Sequence, residues 1–265
     1  MAPSDRVLDE LTELAAVEHA VIAEYLQIAY VLGHRLPDPA SGPAGPAIAD
    51  AAQKILSMAQ FVEMKHLKLV NEFLVASGRP AQLGQAVGID HSLGSGAMTV
   101  FGPLREDDLL ALVERETALA KAVDARYARL RPELDPDDRG LGLGPTLELV
   151  LDRCGNHAED MAGFTGMLAS LNSADYLRVR RQTPSGALEQ ALHKADQSHY
   201  GLILALLSAS LNHPDDDHSN SLLSQAIAAM DSLDLFNAQL VGRGLLPNLS
   251  PPSPWQPGES SASPT

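Results

Sequence analysis

The chain has 265 residues, 19 Lys and Arg against 34 Asp and Glu, and a formal charge of −15 with a mean hydropathy of −0.05. That balance argues against nucleic acid or an anionic membrane surface as a partner. A single cysteine, Cys154, excludes an intramolecular disulfide and a thiolate metal cluster. Asp5, Asp9 and Glu10 near the start are unlike a secretory signal, and the run Leu202 to Leu211 is too short to span a bilayer. The expectation is therefore a cytoplasmic globular protein with no membrane partner.

Hydrophobic spacing predicts six helices. The first covers about residues 5–33, after Pro3-Ser4, and the second about 47–77, stopped by Gly78 and Pro80. Residues 79–104 hold six Gly or Pro between Gly84 and Pro103 and read as an irregular excursion over a site. A third helix is predicted at about 106–131 and a fourth at about 145–171. The fifth covers about 186–211, and Ser219 caps a sixth to about 242. No alternating pattern demands a sheet. The fold class expected is all-α, a ferritin-like antiparallel helix bundle with additional helices. It forms one domain over residues 1–246, followed by a disordered Pro/Ser-rich tail, 247–265.

Two strings place an acid and a histidine three residues apart on one helix face: Glu63 with His66, and Asp196 with His199. Both doublets sit in apolar stripes, where an unpaired carboxylate costs several kcal/mol. A dinuclear site in a helix bundle takes two such doublets and one further acid from each of two other helices. Glu18 is the first-helix candidate, because its stripe holds Leu11, Leu14, Ala15, Ile22, Tyr25 and Ala29. Glu24 reads as lying on the wet face. Glu116 is the further acid, with Glu159 as its rival, and His157 is a candidate ligand on the fourth helix. Oxygen and imidazole donors without thiolate suit two iron ions, with manganese as the alternative. Tyr25 is the candidate catalytic residue, a donor to a bound oxygen species. His19 and His193 read as either supporting donors or core residues, and His91 as a loop residue.

The segment Ala16-Val17-Glu18-His19-Ala20, followed by Glu24-Tyr25-Leu26, resembles the opening motif of a ferritin-like family. Its members include the iminophenyl-pyruvate dimer synthase of violacein biosynthesis and the chromopyrrolate synthases. Glu63 to His66 running into Gly78-Arg79-Pro80, Pro103-Leu104 before Glu116, and Ser198-His199-Tyr200 are similar to that family's later motifs. The resemblance spans about residues 10–205. It implies Glu18, Glu63, His66, Glu116 and His199 as site positions, and Asp196 by place. Ala23-Glu24 stands where the family commonly has Pro, and the extra region of the dimer synthases is absent, so their substrate does not carry over.

The resulting expectation is a non-haem dimetal, di-iron oxidase or oxygenase acting on a small amino-acid-derived substrate in natural-product biosynthesis. Dioxygen and that small molecule are its expected partners, and a homo-oligomer is left open. The alternatives are an imine-dimerising coupling enzyme, and a non-enzymatic ferritin-like metal carrier or helical interaction protein.

Overall fold

The structure, a computed structural model, describes residues 3–32, 45–86, 88–90, 98–100, 109–133, 145–168, 183–212 and 216–249. Residues 87, 91–97 and 101–104 of the 79–104 stretch are outside these residues, His91 included, as is the tail from residue 250.

Helix α1 (Asp5–Val31) starts at Ser4, whose hydroxyl accepts from the Val7 amide and whose carbonyl takes the Val7 and Leu8 amides. By length and composition α1 is apolar enough to cross a membrane, yet 89% of that stretch is buried inside the protein. It is the central helix of the bundle, touched by α2 (Gly45–Met58), by the π-helical turn Ala59–Glu63, by α3 (Met64–Ala76) and by α8 (Asp216–Gly242). Asp5, Arg6, Asp9 and Glu13 face water, but beyond them the helix is covered on several sides and loses its wet face, which corrects the reading of Glu24. Every residue from Val17 to Tyr25 is buried, Glu24 among them.

The second predicted helix is broken by that π turn, which ends on Glu63 and has no signature in the apolar spacing. A π turn inserts one extra residue per turn and is often found at functional positions. It rotates the face that follows, so Glu63 and His66 are set by the bulge rather than by a continuous 3.6-residue period. Gly78, at φ 83°, ends α3 as expected, with the Arg79 amide returning to the Leu74 carbonyl.

Among the described residues the excursion contains an antiparallel ribbon, β1 (Gly88–Asp90) with β2 (Met98–Val100), Ile89 opposite Thr99. Helix α4 (Leu109–Ala128) is followed by a 3₁₀ turn at Arg131–Glu133. The predicted fourth helix is two: α5 (Leu147–Cys154), capped by Thr146, and α6 (His157–Leu168). Gly155 separates them. A Cβ there would sit 2.6 Å from the Leu151 carbonyl oxygen, so the chain can turn at this point only without a side chain.

Helix α4 packs against α6, and α1 against α3, around one apolar core that includes Leu11, Leu14, Val70, Leu74, Val123 and Val150. Each such side chain contributes about 1.5–3 kcal/mol by leaving water. Helices α7 (Ala187–Asn212) and α8 pair mainly with each other and lie against this core through α3 and α1. Arg126 ties α4 to α1 by ion pairs to Glu10 at 2.6 Å and Glu13 at 2.5 Å.

Candidate metal centre

Four side chains from four segments meet inside the core: Glu18 of α1, Glu63 of the π turn, His66 of α3 and His157 of α6. One donor atom from each lies within 4.8 Å of the others, and all four residues are buried. Two ligands on opposite sides of one ion, at bonds of about 2.0–2.3 Å, are about 4–4.6 Å apart. The group is thus at coordination spacing before any ion draws it in.

The orphaned atoms fit a cation. Neither oxygen of Glu63 has a hydrogen bond, nor does Nδ1 of His66, although both residues are enclosed. Buried carboxylate oxygens left in that state are costly unless a charge completes them. His157 Nε2 lies 3.0 Å from Glu18 Oε2 and 3.4 Å from Glu63 Oε2, and His66 Nδ1 lies 3.4 Å from the same Glu63 oxygen.

Electrostatics follows from this enclosure. Burial pushes the Glu63 carboxyl up, but His157 and His66 outweigh it and hold it at about 2. Burial lowers the two imidazoles, and the carboxylates beside them reverse that effect. His66 is raised by Glu63 and Glu18, and His157 well above its ordinary range by Glu18 and Glu63. Without metal, protons on these rings balance the acids.

Two residues of α4 hold the ligands in place. The Tyr127 hydroxyl donates to Glu18 Oε1 at 2.6 Å, and its ring stacks 9° from parallel on His157. The Asp124 carboxylate accepts the backbone amides of His157 at 2.7 Å and Ala158 at 2.9 Å, so it caps α6 from a neighbouring helix. The same carboxylate lies 3.4 Å from His157 Nδ1. It therefore fixes both the start of α6 and the ring face that turns Nε2 toward Glu18 and Glu63.

A family model described as Ferritin-like matches residues 11–100. The bundle is ferritin-like. No curated protein and no solved structure matches the chain. The matched stretch carries Glu18, Glu63 and His66, while His157 comes from beyond it.

Of the predicted site residues, Glu18, Glu63, His66 and His157 come together. Asp196 and His199 are not members of this group. Asp196 instead accepts the Asn248 amide at 2.7 Å, and the His199 ring lies 4.9 Å from Phe236. The reason lies in the packing: the helix that pairs with α4 in the core is α6, and α7 is spent on α8. Glu116 is fully buried and Glu159 exposed, so Glu159 no longer rivals it. Tyr25 is enclosed, its hydroxyl donates to Met161 Sδ, and burial with the charges of Glu116, Glu63, Glu24 and Glu18 raises its pKa. His19 meets Tyr200 and Gln85, and burial lowers it to about 4, which keeps it neutral.

Sequence reasoning did not single out Asp124, nor Tyr127 as a partner of Glu18. The fourth-helix ligand has no acid three residues before it, since that place is Cys154, so a search for doublets passes over His157. The Gly155-Asn156 break immediately before His157 is the signal that marks a helix start there.

Proposed function

We propose that this protein is a non-haem dimetal oxidase or oxygenase, with two iron ions, acting on a small amino-acid-derived substrate in a biosynthetic pathway of the cytoplasm. The observation that carries the reading is the buried Glu18, Glu63, His66 and His157 group, at coordination spacing and with orphaned donor atoms. The ferritin-like match and the family resemblance support the class of chemistry. Glu116 and Glu24, both buried and both acting on Tyr25, supply the carboxylates for a second ion. Manganese suits the same oxygen and imidazole donors.

Bound iron supplies the redox chemistry and the affinity for dioxygen. The chain's own residues do the rest. His66 and His157 release their protons when a cation takes the place of the charge they carry. Tyr127 keeps Glu18 oriented through one oxygen and leaves Oε2 facing the group. Asp124 sets His157, and the apolar side chains around the four ligands exclude water. Tyr25, one turn-pair from Glu18 along α1 and within the electrostatic reach of Glu18 and Glu63, is the proposed proton donor to a reacting oxygen, and would leave Met161 Sδ to act.

Oxygen consumption tests the enzyme reading. Protein loaded anaerobically with ferrous ion should take up dioxygen faster when aromatic or aliphatic amino acids, or their imines, are present. Uptake that ends after iron oxidation, whatever the substrate, points to metal storage and overturns the oxidase assignment.

A further inference from the structure

A cavity of about 510 Å³ opens between α3, α7 and α8 and lies outside the metal group. That volume is within the range of small-molecule sites. Five of its lining side chains, Gln60, Met64, Leu67, Leu207 and Met230, also line a narrow cavity of about 40 Å³ against His19 and Tyr200, so the two adjoin there. Met64 and Leu67 each follow a metal-group residue, Glu63 and His66, by one position. They therefore point about 100° around the helix, so the cavity is a neighbour of the centre and not its mouth.

The rim is apolar where water would favour polar groups, with Phe61 61% and Ile227 56% exposed. Gln60 and Phe61 belong to the π turn, which brings two consecutive side chains to the cavity wall. Two of the lining side chains, Met64 and Met230, are adaptable in shape.

The charges are decisive. Of the ionic groups lining the cavity, Lys68 is paired with Glu72, and Asp231 has an interaction of its own. Lys65 has no partner among the described residues, and neither has the Gln60 amide. Lys65 is exposed and thus holds an ammonium at the rim of the apolar cavity where an anion can meet it. The deep end offers an anion no cation, since burial keeps His19 neutral and the one acid there, Asp234, accepts from the Tyr30 hydroxyl.

We propose that this cavity binds an apolar monocarboxylate, its tail directed toward His19 and Tyr200 and its carboxylate at the rim between Lys65 and Gln60. The assignment does not depend on the metal, so it stands or falls separately from the proposed oxidase activity.

Calorimetric titration of the full chain with decanoate tests it, with decanol and decyltrimethylammonium as the neutral and cationic counterparts. One decanoate per chain is expected, held about fivefold or more tighter than either counterpart, with Lys65→Glu erasing that preference. Leu207→Trp, which fills the space where the two cavities adjoin, should abolish binding. If that variant loses its helical circular dichroism, Lys65→Glu decides alone, because its side chain is exposed and its fold is not at risk. Absence of binding at millimolar decanoate overturns the proposal. So does equal affinity for decanol, or unchanged decanoate affinity in a folded Leu207→Trp protein.

Discussion

Asp196→Asn separates a metal ligand from a buried structural acid. The Asp196 carboxyl is fully enclosed, and burial raises it from 3.8 to about 7, with the Asn248 amide offsetting part of the shift. An acid raised in the folded state destabilises the fold as it ionises. The penalty is absent below the unfolded value, grows between pH 3.8 and 7, and is complete above pH 7. At about 1.36 kcal/mol per unit, that interval corresponds to about 4 kcal/mol as an upper bound, and local relaxation reduces it to about 1–3 kcal/mol. Asparagine keeps an oxygen for the Asn248 amide and carries no charge. The variant should therefore melt close to the parent at pH 4 and several degrees above it at pH 8, at about 2–4 °C per kcal/mol. Scanning calorimetry of both proteins at the two pH values measures this, with iron content measured alongside. A variant that is less stable at pH 8, or that loses iron, refutes the structural role and restores Asp196 to the site.

Four further outcomes follow from the same geometry. His199→Ala should retain metal, since its ring meets Phe236 and not the ligand group, whereas His157→Ala should lose it; in the metal-free state His157→Ala should also melt lower by about 3–5 kcal/mol, because Glu18 and Glu63 are stranded. Asp124→Ala should weaken metal binding about 10- to 100-fold while keeping the bundle folded, at a capping cost of about 0.5–2 kcal/mol, measured by chelator competition and thermal melts. Metal affinity should rise with pH between 5 and 8, with proton release detected by calorimetry in buffers of different ionisation enthalpy, because the raised imidazoles must lose protons to bind. Metal-free protein should show the opposite dependence from these rings: their stabilisation is complete below about 6.5 and is lost as pH climbs through the raised values. The contribution of Glu63 is complete above 4.5 and fades toward 2.

Much of the bundle was legible because helix stops are local chemistry. Gly78 with Pro80, Ser4 before α1 and the apolar stripes of α1 and α4 each act within a few residues. Glu18 and the Glu63–His66 doublet were legible for the same reason, as acids lodged in stripes. The assignment of Glu24 to a wet face failed because solvent exposure depends on how many neighbours surround a helix, and α1 is central. Asp196 and His199 satisfy the spacing rule as well as Glu63 and His66 do. Both acids are buried, but which doublet meets Glu18 depends on which helix pairs with α4, a tertiary choice with no trace in either string. The π turn before Glu63 and the cross-helix cap by Asp124 are likewise products of packing.

Anomalous diffraction at the iron edge from crystals of iron-loaded protein addresses the central claim most directly. Two iron peaks should appear in the core, the first ligated by Glu18, Glu63, His66 and His157 at about 2.0–2.3 Å and the second on the Glu24 and Glu116 side. Iron-loaded crystals with no peak among those four side chains, or with their only peak beside Asp196 and His199, would contradict the account.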